Sequence, residues 1–319
     1  MKHAIILHNP VGSSSKADEL DVFNQAELIE TALDQLGYSS QRLAFNLNDI
    51  NLSKLLKGRT IAIVFNLVET INESGQYSFI VPGILELMKV PYSGSGAEAI
   101  LLTTNKIICK TILIFNKINT PVWATYPAEV EDKKLYIIKP ISEDGSLGIN
   151  DDLIIKGNKI TSIPAGYFAE EYIDGREFNI SVIGGRDGFD VLPPAEMCFS
   201  NDYYASKPKI LGYKAKWDEN SMEYQNTTRS FNFEECDSEL IAKLKEISAN
   251  CWKIFNLKGY ARIDVRVGSD GIPKVIEINA NPCIAPDSGF VAASRIAGLS
   301  NAEIIKRIID DAKPNYTGI

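Results

Sequence analysis

One stretch of this chain constrains its fold more than any other. It runs Ala261-Arg262-Ile263-Asp264-Val265-Arg266-Val267, turns through Gly268-Ser269-Asp270-Gly271-Ile272-Pro273, and returns as Lys274-Val275-Ile276-Glu277-Ile278-Asn279. Apolar and charged residues alternate, which is the mark of strands with one buried face, and the turn is rich in residues that reverse a chain. Arg262 and Asp264 then share one face, and Glu277 and Asn279 share one face of the returning strand. Closing the hairpin with Val267 opposite Lys274 sets Asp264 against Glu277 and Arg262 against Asn279. Opposed carboxylates destabilise a sheet unless a cation lies between them, and two carboxylates with an amide oxygen suit a hard magnesium ion bridging nucleotide phosphates. The plainer reading is the polar outer face of a surface hairpin. Ile263, Val265, Ile276 and Ile278 already supply a buried face, which weighs against it.

Two further segments offer nucleotide chemistry. Leu135-Tyr136-Ile137-Ile138-Lys139-Pro140 is an apolar strand ending in a lysine, followed by Glu143-Asp144-Gly145-Ser146-Leu147-Gly148. Such a turn can set the Lys139 ammonium and the backbone around Ser146 against phosphates, although alone it is usually only a turn. In Phe168 through Phe178, a strand leaving its sheet at Asp174-Gly175 offers backbone groups of Glu171 and Ile173 to an adenine edge and Glu177 to ribose hydroxyls. Taken by itself, the segment reads as an acidic hairpin end.

Other chemistries have little material. The formal net charge of -8 argues against nucleic-acid or anionic-membrane partners, whose phosphates need a basic surface. His3 and His8 are the only histidines, and the five cysteines (Cys109, Cys198, Cys236, Cys251, Cys283) form no C-x-x-C pair. Zinc knuckles, disulfide frameworks and Ser-His-Asp catalysis are therefore not expected, and carboxylates, lysines and arginines must carry the chemistry. The apolar run at the start is too short for a signal peptide and no stretch approaches the ~20 residues of a membrane span, so a cytoplasmic location is expected.

The 319 residues, 45% of them hydrophobic, suffice for two or three packed units. Residues 1–100 read as an open α/β unit: strand Ala4–His8, a helix from Asp21 to Leu36 closed by Gly37, and strand Ile61–Asn66, with Ala97–Asn116 resuming helical spacing. From about Pro121, short β-rich runs (Leu135–Lys139, Tyr167–Ile173, Phe178–Ile183) indicate a small, mostly antiparallel sheet. Beyond Val191 come loops, a helix over Ser238–Phe255, the hairpin, and a terminal helix from Asn301 to Asp311. We expect three units, over 1–100, 101–190 and 191–319.

Taken in order, these pieces resemble the D-alanine–D-alanine ligase branch of the ATP-grasp superfamily, from about Phe65 to Ser300. The matching signatures are Phe65-Asn66-Leu67, Pro91-Tyr92-Ser93-Gly94-Ser95, Thr104-Asn105-Lys106, Ile138-Lys139-Pro140, Glu170 through Glu177, Lys214-Ala215-Lys216-Trp217, Ala261-Arg262-Ile263-Asp264 and Glu277-Ile278-Asn279-Ala280-Asn281-Pro282. The resemblance implies an α/β (α+β) ATP-grasp fold, in which an open N-terminal α/β domain precedes two α+β subdomains clasping ATP. It implies that Lys106 and Lys139 contact ATP phosphates, that Glu170, Ile173 and Glu177 hold adenine and ribose, and that Lys216 closes over the phosphates. Asp264, Glu277 and Asn279 would bind two magnesium ions, with manganese as an alternative. Arg262 would stabilise the tetrahedral intermediate, and Ser288 would bind a substrate carboxylate. The implied reaction activates a carboxylate as an acylphosphate and transfers it to an amine, both substrates small and amino-acid-like, and relatives are often dimers.

Departures cluster at the amino-acid pocket. The early loop Asn9 to Glu19 lacks an aligned glutamate for the first substrate's ammonium, leaving Asp18 or Glu19 as a substitute or as favourable charge at a helix start. Gly145 stands where the family has a serine, Trp217 where a tyrosine is typical, and Cys283 where a glycine amide helps form the oxyanion hole. The Cys283 N–H can still donate, and the alternative is a small buried thiol. These changes favour a ligase with an altered pocket over a D-alanine–D-alanine ligase of cell-wall synthesis. A non-catalytic ATP-binding protein and a carboxylate kinase on the same fold are the competing classes.

Overall fold

The computed structural model describes residues 2–12, 20–45, 61–143 and 154–312. The expectations at Asp18 and Ser146 lie outside them.

The chain opens with a parallel three-stranded sheet in the order β2-β1-β3, made of β1 (Lys2–His8), β2 (Tyr38–Ala44) and β3 (Ile61–Leu67). Helix α1 (Val22–Gln35) joins β1 to β2, burying Val22, Ala26, Ile29 and Leu33, the spacing of a single helix face. Gly37, with φ +77°, ends it by donating to the Asp34 carbonyl, the left-handed stop expected of that glycine. Strand β2 was not legible in the sequence: Tyr-Ser-Ser-Gln-Arg-Leu-Ala has neither an apolar run nor clean alternation. Its pairing with β1 makes it a strand.

Helix α2 (Ile80–Leu87) packs on β1 and β3 through Val81 and Leu85. The expected helix over Ala97–Asn116 is in fact two, α3 (Ala97–Thr104) and α4 (Lys106–Phe115). Asn105 leaves the helical region (ψ 99°), and its side chain accepts from the Ile108 N–H to cap α4. That break makes Lys106 the first residue of a helix and stacks Lys110 one turn later on the same side.

Two antiparallel sheets follow. The first has the order β4-β7-β5-β6, from β4 (Trp123–Ala124), β5 (Leu135–Pro140), β6 (Ile154–Lys156) and β7 (Tyr167–Glu171). The chain then crosses at Asp174 into β8 (Gly175–Gly185), which pairs with later strands. The second sheet joins β8 to β9 (Gly188–Val191), β10 (Ala195–Phe199), β11 (Thr227–Ser230), β12 (Tyr260–Gly268) and β13 (Pro273–Asn279), with β8 at its centre between β10 and β12. The single small sheet expected after Pro121 is thus two sheets, and the dividing point expected near 190 falls inside the second, because β8 finds its long partner only 75 residues or more downstream. Short helix α5 (Tyr213–Trp217) lies over this sheet, and α6 (Ser238–Ile254) covers its other face with Leu244, Ile247 and Cys251 against Phe178, Ile180 and Ile263.

The chain closes with α7 (Gly289–Ile296), which the sequence reading missed, and α8 (Asn301–Asp311), placed as expected. Ile304, Ile305 and Ile308 of α8 bury against α1, so the end of the chain helps to seal the first unit's core.

Candidate functional site

The β12–β13 hairpin carries the charged face. Register pairs Arg262 with Asn279, Ile263 with Ile278 and Asp264 with Glu277, the pairing expected of the closed hairpin. At the turn end the expectation fails: Val267 pairs with Pro273, not Lys274, because one extra residue of β13 is absorbed in a bulge beside Asp264. The bulge makes Ile276 the unpaired residue and turns Val275 into the buried face, so Ile276 lines a cavity on the charged side rather than the core.

Asp264 is buried and saturated. Its Oδ1 accepts from Arg262 Nε at 2.7 Å and Asn179 Nδ2 at 2.9 Å, while its Oδ2 accepts from Arg262 Nη2 at 2.8 Å and Asn279 Nδ2 at 3.2 Å. Burial opposes the Arg262 charge, but this bidentate partner more than offsets it, and the net shift of its pKa is upward. Among the described residues no group of three or more His, Cys, Asp or Glu side chains is placed to hold a metal. The expected metal set is therefore two facing carboxylates plus the Asn279 amide, hard oxygen donors that fit magnesium and leave coordination positions for phosphate oxygens. For Asp264 to join it, the Arg262 fork must open.

The lysines converge on the same face. Lys106 Nζ lies 3.7 Å from Glu277 Oε1 and donates to the Glu143 carbonyl at 2.5 Å. Lys139 donates to Glu170 Oε1, and the other carboxylate oxygen of Glu170 is paired with Lys110 at 2.5 Å. Burial favours the neutral acid, yet the two ammonium groups hold the Glu170 carboxyl below its usual range; for Lys110, burial outweighs Glu170 and the pKa falls. Glu170, expected at adenine and ribose, is thus a buried counter-ion to two lysines. Glu177 likewise holds Arg266 (2.5 Å), whose Nη1 also donates to the Ile173 carbonyl at 3.2 Å. Glu171 pairs with Lys134 at 3.3 Å.

Two cavities meet at Lys216. One lies between the two antiparallel sheets, and its walls include Lys139, Glu170, Glu171, Ile173, Glu177, Asp264 and Glu277 together with apolar Ile137, Ile210 and Ile276. The other, about 180 Å³, is bounded by Arg262, Asn279, Lys216, Trp217, Cys283 and residues of the first unit, including Asp21, Gln25 and Glu69. Desolvation, and after it the Arg262 charge, lower the Lys216 pKa. Trp217 Nε1 is buried with no hydrogen-bond partner among the described residues.

Two expected residues make contacts of their own here. The Ser288 hydroxyl caps α7 by accepting from the Val291 N–H, and the residue is not in the wall of either cavity. The Cys283 thiol donates to Asp21 Oδ2 at 3.0 Å, and burial followed by that carboxylate raises its pKa well above the usual thiol value. Sequence reasoning missed Lys110, Asn179, Asp21 and Arg266. Lys110 had a visible signal, a lysine four residues after Lys106 in the otherwise apolar Lys-Ile-Ile-Cys-Lys-Thr-Ile-Leu-Ile-Phe; Arg266 shares the alternating face of Arg262 and Asp264. Asn179 and Asp21 reach the site only through sheet pairing and domain packing.

Comparison with known proteins agrees with this geometry. Residues 126–310 match the family model described as D-ala D-ala ligase C-terminus. An uncharacterized protein of Sinorhizobium fredii, y4sG, is 30% identical over 273 residues, covering 82% of this chain and 77% of that one. The D-alanine–D-alanine ligase of Aquifex aeolicus is 26% identical over 317 residues, 94% of this chain and 98% of the relative. Among solved structures, the D-alanine–D-alanine ligase of Bacillus anthracis complexed with ATP superposes with a TM-score of 0.72 at 21% identity, covering 98% of this chain and 97% of that one. At that identity the likeness shows the fold, which is the ATP-grasp fold expected from the sequence.

Proposed function

Since the chain belongs to the D-alanine–D-alanine ligase family and is an ATP-dependent ligase forming C–N bonds, we propose that it joins an amino-acid carboxylate to an amine through an acylphosphate, in a pocket altered from that of D-alanine–D-alanine ligases. The observation that carries this is the meeting of two cavities at Lys216, one walled by lysines and facing carboxylates, the other by Arg262 and the divergent residues Trp217 and Cys283.

ATP and a divalent metal belong to the family's chemistry; two magnesium ions, with manganese as an alternative, would be held by Asp264, Glu277 and Asn279. Magnesium would supply charge neutralisation at the transferred phosphoryl group. Lys106, Lys139 and Lys216 add fixed positive charge around the phosphates, and the apolar walls Ile137, Ile210 and Ile276 accept a flat base between the two sheets. The substrate carboxylate attacks the γ-phosphorus, giving ADP and an acylphosphate. Attack by the amine then forms a tetrahedral intermediate, the nitrogen loses a proton, phosphate leaves with the C–O electrons, and an amide remains. Arg262 is the side chain suited to the oxyanion, since it borders the second cavity and would be released from Asp264 when that carboxylate joins the metal set. No protein nucleophile is needed, and the raised thiol pKa of Cys283 agrees with a non-nucleophilic role.

The altered pocket rests on Asp21, Gln25 and the Cys283 thiol, which together form one wall. The test is magnesium-dependent ADP release with D- and L-amino acids singly and in pairs, with Glu277→Gln as the inactive control. Turnover that requires two substrates supports the ligase. Release with one carboxylate alone indicates a kinase, and efficient D-alanyl-D-alanine formation would overturn the altered pocket.

A further inference from the structure

The cations of the charged sheet face can be matched to anions one by one. Arg262 is taken by Asp264, Arg266 by Glu177, Lys110 and Lys139 by Glu170, and Lys106 lies against Glu277. Among the described residues two positive charges on this face have no carboxylate within ion-pair distance: Lys216, which stands where the cavities meet, and Arg229.

Arg229 belongs to this face by register. It pairs with Met197 on β10, Met197 pairs with Glu177 on β8, and Glu177 pairs with Arg266 on β12, and directly opposed residues of antiparallel strands point to the same side. Its guanidinium lies against the start of α7, where a Cβ on Gly289 would meet Nη2 at 3.6 Å, and Nη1 donates to the Asp287 backbone carbonyl at 3.2 Å. The residue is exposed on an edge strand, yet desolvation of the guanidinium, followed by the neighbouring Arg262 charge, lowers its pKa. Asp287 acts on it only at longer range. A guanidinium has five donors, and only one of these is spent on a protein carbonyl among the described residues, which leaves the rest of the fork for an anion.

We propose that Arg229 is a specificity-determining residue that binds a carboxylate of the amine substrate, and that this substrate is a dicarboxylic amino acid rather than a neutral one. The inference rests on the ligase reading above. The Gly289 and Phe290 N–H groups at the start of α7, which no helical carbonyl takes, suffice for one carboxylate at the inner end, the Val291 N–H being taken by Ser288. Arg229 adds a full charge at the outer end. A neutral amino acid leaves that charge unanswered, whereas an acidic side chain pairs with it bidentately.

The experiment is calorimetric titration of the full chain, in magnesium and ADP, with D- and L-alanine, D- and L-aspartate and D- and L-glutamate, repeated with Arg229→Gln and Arg229→Lys. The expected result is that one acidic amino acid binds more tightly than alanine of the same hand. Arg229→Gln should weaken that binding by about 10- to 100-fold, the range for losing a hydrogen-bonded charge pair, while alanine binding stays the same and Arg229→Lys recovers part of the loss. The ADP affinity of each variant, read in the same instrument, reports that the site is folded. Equal binding of alanine and the acidic amino acids, a preference untouched by Arg229→Gln, or no binding by any of the six overturns the inference. Two-substrate turnover without an acidic preference would remove this inference and leave the ligase standing; acidic binding without turnover would do the reverse.

Discussion

Replacing Lys110 by Met probes the buried charge cluster that underlies the lysine wall. Lys110 and Glu170 side chains are each only 2% exposed, and Lys110 Nζ donates to Glu170 Oε2 at 2.5 Å and Thr120 Oγ1 at 2.7 Å. Removing one partner of a buried pair costs ~3–5 kcal/mol, chiefly because the other charge is stranded. Glu170 retains Lys139, so the low end applies, about 3 kcal/mol, and Tm should fall by roughly 4–5 °C. Glu170→Gln should cost more, since it strands two ammonium groups. Once Glu170 is neutral, Lys110 has lost its ion-pair partner, so the double variant should be more stable than the sum of the single losses by more than about 1 kcal/mol. Scanning calorimetry on the three variants measures this. With Lys110 gone, Lys139 alone neutralises Glu170, and KM for ATP should rise as the phosphate wall loses charge. A loss below about 1 kcal/mol for Lys110→Met, or strict additivity, would refute the view that Glu170 is a shared counter-ion.

Three further outcomes follow from single sites. A Cβ at residue 175 would fall 2.0 Å from the Val267 carbonyl oxygen, so Gly175→Ala should separate the start of β8 from β12 and cost at least ~2–3 kcal/mol, read as lost thermal stability. Asp311 accepts from the Gly259 N–H, but burial dominates and raises its pKa. A carboxyl with a raised folded pKa favours folding below its unfolded value, and that contribution is lost as pH rises through the folded value. Asp311→Asn should therefore stabilise the protein at pH ~7 and lose the advantage below about pH 4, as denaturation across pH would record. Timed iodoacetamide labelling at mildly alkaline pH should modify exposed Cys236 first, because burial raises the pKa of Cys251 and Cys283; early labelling of Cys283, located by peptide mass mapping, contradicts its contact with Asp21.

Alternation in residues 261–279 determined by itself that Arg262 and Asp264 share one face and that Glu277 and Asn279 share another, because strand periodicity is local; that Asp264 meets Glu277 was decided by the register, in which a bulge absorbs one residue of the returning strand. Helices α1, α6 and α8 were legible for the same reason, each carrying its own apolar stripe. What the tertiary structure decided is everything that depends on a distant partner. It made β2 a strand through pairing with β1, moved β8 into the six-stranded sheet, and used a bulge to turn Ile276 toward the site. It placed Lys110 and Lys139 on one carboxylate from opposite sides, brought Asp21 of the first unit to Cys283 near the end of the chain, and set Arg229 on the face of Arg262. The chain records which charges it carries and on which local face they lie. Which of them meet is fixed by cross-strand register and by the packing of separate units, whose energies come from contacts between residues tens to hundreds of positions apart.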